Sequence, residues 1–119
     1  MNKTQALHSF WAGFGNAYDQ NTVPENAPFP RITYEVATDS FGQDLMLSAS
    51  IWDRNTSWST VEALKEAISN EIGHGGVNIP YDEGMIWIRR GSPFAQRMGD
   101  TDDSIRRIVL NIEVEYIGG

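Results

Sequence analysis

The run SIRRIVLNIEVEYI near the C-terminal end alternates without a break. Ile108, Leu110, Ile112, Val114 and Tyr116 fall on one side; Asn111, Glu113 and Glu115 fall on the other. Successive side chains of an extended chain point to opposite faces, so this period of two predicts a long β-strand with one buried and one wet face. Such a strand needs neighbours for its backbone groups and a cover for its apolar side.

The rest of the chain offers both. GMIWIRRG reads as a strand of mixed faces. RITYEVAT sets Ile32, Tyr34 and Val36 against Thr33 and Glu35, and DLMLSASIWD aligns Leu45, Leu47, Ala49 and Ile51. A turn through Gly42 in SFGQ would join these two as an antiparallel hairpin. For the cover, Leu7, Phe10, Trp11, Phe14 and Tyr18 recur at a period near that of a helix, which predicts one amphipathic helix. Gly13 and Gly15 weaken it by about 1 kcal/mol each relative to Ala. A second helix is framed by Ser59 and Glu62 as a capping box, with Trp58 just before it able to pack on Ala63, and it ends at Gly73. Its apolar face is Val61, Leu64, Ile68 and Ile72. DQNTVPENAPFP holds three of the five prolines and reads as loop. The expectation is one α+β domain over residues 1–119, a two-layer sandwich of mainly antiparallel sheet with two α-helices on one face, in the order α-β-β-α-β-β.

With no cysteine among 119 residues, disulfides, thiolate metal sites and cysteine nucleophiles are excluded. The longest apolar runs are far short of the roughly 20 residues that span a bilayer, and the N-terminal residues lack an apolar signal core, so the chain reads as mature protein made in a cytoplasm. A net charge of −7 opposes a grip on free DNA, because phosphate affinity comes largely from cationic side chains.

No motif with a chemical meaning stands out. The glycines of GHGG, Gly73–Gly76, follow a helix rather than precede one, so they suit an exit and not a phosphate cradle. His8 and His74 are the only histidines, too few for a zinc site without carboxylates at uncontrolled spacing. No serine lies in a nucleophile elbow. Asp82 and Glu83 precede Gly84 in turn composition, and Asp100, Asp102 and Asp103 lie beside Gly99 without the spacing of a calcium loop. Neither catalytic residues nor a metal or cofactor is expected.

The unusual stretch is RRGSPFAQRMGDTDDSIRR. Arg89 and Arg90 are expected to end one strand, and Arg106 and Arg107 to begin the next. Paired neighbours would bring the four together at one end of the sheet, one arginine of each pair on either face, with the three aspartates neutralising them. Phe94, Arg97 and Met98 in the intervening loop suit an anchor against another chain; tucking back under their own loop is the other reading.

IPYDEGMIWIRRGSPFAQRMGDTDDSIRRIVLNIEVEYI, with WSTVEALKEAISNEIG and the opening aromatic helix, resembles the tail terminator (tail completion) proteins of long-tailed bacteriophages. RGSPFAQRM and the acidic-then-IRRI sequel carry most of the likeness, which runs along nearly the whole chain. The resemblance implies a homohexameric ring in the virion, at the head-proximal end of the tail tube and assembled in the host cytoplasm. That ring ends tube polymerisation and gives the head connector or stopper protein a docking surface, with no catalysis, cofactor or membrane. DNA passes through the channel without specific binding. Six times −7 is −42 around that channel, and Asp82 and Glu83, or Asp100, Asp102 and Asp103, are the acids expected at the lumen. The arginines would then serve contacts between subunits or with the tube. The alternatives are the head-side stopper of the same neck, or a small-ligand-binding or enzymatic domain on the same architecture.

Overall fold

The computed structural model describes residues 1–37 and 44–118; the turn expected through Gly42 lies outside them. The element order is α1 (Lys3–Ala12), β1 (Asn16–Asp19), β2 (Arg31–Tyr34), β3 (Asp44–Arg54), α2 (Ser59–Ile72), β4 (Val77–Tyr81), β5 (Gly84–Met98) and β6 (Ile105–Gly118). The fold is α+β, with two strands more than the alternating patterns reveal. All the strands join one mixed sheet in the order β1-β2-β3-β6-β5-β4. Among the described residues, only β1 and β2 run parallel.

The long alternating strand is the centre of this sheet. β6 pairs with β3 from Arg54↔Ile105 to Asp44↔Glu115, and with β5 from Met98↔Arg107 to Gly84↔Gly118. Its apolar row Ile108, Leu110, Ile112, Val114 and Tyr116 is buried and belongs to the same core as Leu7 and Trp11 of α1 and Val61, Ile68 and Ile72 of α2. Both helices therefore serve the face that the alternation marks as dry. α2 packs on β3, β5 and β6, whereas α1 touches β1 and β4, the two edge strands. One helix can reach both edges only because the sheet curls into a half-barrel around it.

The first helix is shorter than its stripe. It stops at Ala12, and the Gly13 N–H reaches back to the Ser9 and Phe10 carbonyls. Tyr18, assigned to the helix by periodicity, lies on β1 instead. Two glycines in three positions make continued helix costly, and pairing Asn16–Asp19 with Arg31–Tyr34 gives the same backbone groups partners in the sheet. The capping box also sits elsewhere. Asn2 and Gln5 form it on α1, at 2.8 and 2.9 Å. On α2 the N-cap residue is Trp58, without a side-chain cap; the Ser59 N–H donates to Ser57 Oγ, and Glu62 turns to Lys65 and Arg97.

RGSPFAQRM is strand, not loop. β5 runs on to Met98 and breaks register only between Arg90 and Ala95. There Gly91 lies against the Asn111 backbone, and Asn111 Nδ2 donates to the Pro93 carbonyl at 3.0 Å. Gly76, at φ 89°, ends the helix exit beneath the Trp87 indole, which donates to the Gly75 carbonyl at 3.2 Å.

Candidate functional site: the open face of the sheet

Since both helices lie on one side of the sheet, the other side of β3, β6 and β5 is left without a covering layer. Register sets its rows. Trp52, Arg107 and Met98 stand side by side across the three strands; Ser50, Val109 and Gln96 follow; past Ser48 and Asn111 come Met46, Glu113 and Arg89, and then Asp44, Glu115 and Trp87. Met46 and Met98 are 58% and 42% exposed on this face.

Two arginine–tryptophan stacks organise this face. The Arg107 guanidinium lies 4.3 Å from the Trp52 ring centre and donates through Nε and Nη2 to Ser50 Oγ at 3.1 and 3.0 Å. The Trp52 indole donates in turn to Thr33 Oγ1 at 3.0 Å. Arg89 lies 4.0 Å from the Trp87 ring centre, donates to Asp44 Oδ1 at 2.7 Å and approaches Glu113 at 3.6 Å. A planar cation held on an aromatic face keeps little rotamer freedom and offers a flat, amphipathic surface. Arg89 holds the Asp44 carboxyl below its ordinary range. Asp44 in turn crowds Glu115, whose carboxyl is pushed up, first by its hydrogen bond with Asp44 and then by burial.

The four arginines do alternate between faces, but they do not form one cluster. Arg89 sits opposite Glu113 and Arg107 opposite Met98, six residues apart on β6, or about 20 Å along the strand. The continuation of β5 beyond Arg90 separates them. On the helix side, Arg90 donates to Ser69 Oγ of α2 at 3.1 Å, and Arg106 to the carbonyls of Thr56 and Asp103. Arg97 and Arg106 flank the Trp58 ring at 4.5 and 5.5 Å, and Arg97 also bonds Glu62 at 3.1 Å. Phe94 leans on its own core, whereas Met98 points out to the open face.

The acidic groups are likewise apart. Asp82 meets the N-terminal amine at 2.6 Å, beyond the Gly84↔Gly118 end of the β5–β6 ladder, while Asp100, Asp102 and Asp103 follow its Met98↔Arg107 end. The latter three shape their own loop rather than neutralise the four arginines. Asp100 accepts from the Asp102 N–H, Asp102 accepts from the Ser104 N–H and hydroxyl and pairs with Arg54 at 3.4 Å, and Asp103 gives its carbonyl to Arg106.

The Ser104 hydrogen bonds, then Arg54, hold the Asp102 carboxyl below its ordinary value of 3.8. A depressed folded value adds stability above the unfolded one, and that stability is lost as pH falls through the folded value. Asp102→Ala should therefore lower the melting temperature at pH 7, and the gap to the parent should close in acid below pH 3.8. Thermal melts of both proteins from pH 7 to pH 2.5 would check this; a gap that persists in acid would assign the loss to the loop backbone instead.

Elsewhere, His8 is exposed and its Nδ1 lies 2.9 Å from the Tyr34 hydroxyl. Burial, then the Asp19 charge, raises Tyr34 above its ordinary value. Among the described residues no group of three or more His, Cys, Asp or Glu side chains is placed to hold a metal ion. The sequence reading did not single out Trp52, Trp87 and Asp44 for this face. The i, i+2 spacing of Trp87 and Arg89 was a usable signal, whereas the pairing of Trp52 with Arg107 depends on a register no local pattern carries. The chain matches no known family model, no curated protein and no solved structure.

Proposed function

We propose that this chain is a structural assembly protein that forms a ring at the head-proximal end of a phage tail tube, ends tube growth and presents a docking surface to the filled head. Two things support the reading. One is the resemblance carried by RGSPFAQRM and the IRRI sequel. The other, on which the reading chiefly rests, is an uncovered sheet face that combines arginine–tryptophan stacks with exposed methionines. Arg, Trp and Met are enriched where proteins meet, and their flat, desolvated surfaces supply much of the binding energy there. Arg89 and Arg107 are the residues assigned to contacts with other subunits or the tube. In this reading the layer of helices serves stability and the strand face serves assembly.

The test is complementation of a phage from which only this gene has been removed, followed by electron microscopy. Without the gene, filled heads should accumulate beside headless tails of uncontrolled length, and the wild-type gene should restore particles. The Arg89→Ala, Arg107→Ala double variant should fold yet lower infectious yield by about tenfold or more, the loss expected when one contact worth about 1.4 kcal/mol is removed from an interface. Leaking heads beside tails of uniform length would move the protein to the head-side stopper. Full yield from the double variant would remove these arginines from the assembly surface, and intact particles without the gene would reject the assembly reading altogether.

A further inference from the structure

β6 is the middle strand of the three that make the open face, and in a curled sheet it forms the crest of the outer side. Along that crest the outward residues are Arg107, Val109, Asn111, Glu113 and Glu115. The cation stands at one end, the acids at the other, and Asn111 at the middle. In the rows of Arg107, Glu113 and Glu115 the flanking strands add no cation at the Arg107 end, and their charges, Asp44 and Arg89, both lie in the acidic half. Beside Arg107 stands Trp52 in the row that ends with Met98, and beside Glu115 stands Asp44 in the row that ends with Trp87. Arg89 is the cation of the acidic half, and it is already engaged with Asp44 and Glu113.

A surface that is positive at one end and negative at the other complements a copy of itself turned end for end. A two-fold contact requires that residue i meet residue j while j meets i. Counting along β6, Arg107 and Glu115 are each four residues from Asn111. We propose that two copies of this chain pack through their open sheet faces about a two-fold axis that crosses β6 at Asn111, at right angles to the strands, so that Arg107 of each copy meets Glu115 of the partner subunit.

Faces packed at the usual sheet separation of about 10 Å leave room for an arginine and a glutamate to reach one another. The same operation sets Asn111 against its own symmetry mate and lays each exposed Met98 toward the partner's Trp87. The opposite choice of axis, parallel to the strands, would set Arg107 against the partner's Arg107 and Glu115 against the partner's Glu115, and like charges would disfavour it. The carboxyl of Glu115, crowded by Asp44 within its own chain, gains a cation in the pair.

The inference stands apart from the ring reading. A back-to-back pair is an isologous contact, whereas a ring needs head-to-tail contacts. In a ring-forming protein the pair would keep the docking face covered until another partner replaces it.

Sedimentation velocity on the purified full chain tests the pair without any phage component. The wild type should sediment as a dimer that dissociates as salt is raised, because the contact is electrostatic at both ends. Glu115→Arg should weaken the dimer by about tenfold or more in dissociation constant. It should also stay folded, since it places a cation beside Asp44 where two carboxylates were crowded. Arg107→Glu alone should weaken the dimer likewise, and the Arg107→Glu, Glu115→Arg double variant should regain it, since the exchanged charges meet again across the axis. A monomeric wild type would overturn the proposal, as would dimers that survive Glu115→Arg or a folded double variant that fails to pair. Larger rings that persist in Glu115→Arg would overturn it while leaving the ring reading in place.

Discussion

Trp11→Ala should cost about 3–5 kcal/mol of folding stability, the range for removing a large aromatic from a packed core. That is a large share of the roughly 5–15 kcal/mol that holds a domain folded. Trp11 is 1% exposed and stacks on Tyr34 with ring centres 6.2 Å apart and planes 14° from parallel; Phe10 meets it edge-on at 4.9 Å. The location makes the loss more than local. α1 is ten residues long, too short to be helical in water by itself, so its burial against β1 and β4 is what keeps it formed. It is also the element that touches both edge strands of the half-barrel. Without the indole, the stack that joins α1 to β2 through Tyr34 is lost, and the His8 contact with the Tyr34 hydroxyl must hold that junction. Urea unfolding followed through the remaining tryptophans should show a lower midpoint with the slope nearly unchanged. Trp11→Phe, which keeps an aromatic ring in place, should cost less than half as much. Equal losses in the two variants would mean that the site does not depend on filled volume, against the packing account.

The elements that could be read from the sequence are those whose signal is their own. β6 declares itself because five buried side chains alternate with wet ones over a length that no helix tolerates, and α2 because Val61, Ile68 and Ile72 return at helical spacing. Three features escaped for a shared reason: their stability lies in partners distant in sequence. β1 has four residues with a single buried side chain, Ala17, and it exists because β2 lies beside it. β4 carries Pro80, which an edge strand tolerates and a central one does not. β5 looks finished at Gly91, and only the continuing ladder with β6 keeps Ala95–Met98 extended. The open face follows the same division. That Arg89 and Arg90 point to opposite faces was legible from alternation. That Arg107 lies beside Trp52 and Glu115 beside Asp44 was not, because register between strands is fixed by the fold as a whole.

Gly91→Val should destabilise the chain by about 1–3 kcal/mol, the usual cost of forcing extra volume into a packed site. The reason is space, not backbone conformation. A Cβ at Gly91 would lie 2.8 Å from the Asn111 carbonyl oxygen, 3.0 Å from its carbon and 3.1 Å from the Asn111 Cβ. Two of those three atoms belong to the backbone of the central strand, which is held on both sides and has little room to move. Between Arg90↔Ile112 and Ala95↔Leu110 the four residues Gly91, Ser92, Pro93 and Phe94 pass over the single residue Asn111. Gly91 lies against the Asn111 backbone where β5 begins to bulge away. A valine there would push β5 outward, lengthen the Asn111–Pro93 hydrogen bond and weaken the four pairs that follow, from Ala95 to Met98. Those pairs hold Arg97 against Trp58 and set Met98 on the open face, so the variant should lose amide-exchange protection from Ala95 to Met98 before it loses protection in the β3–β6 ladder. Gly99→Val is the matched control, because a Cβ there meets nothing within 4 Å; it should change stability by no more than about 0.5 kcal/mol. If both valines cost the same, β-branching on the backbone would be the cause, and the close approach to Asn111 would not be what requires glycine at this position.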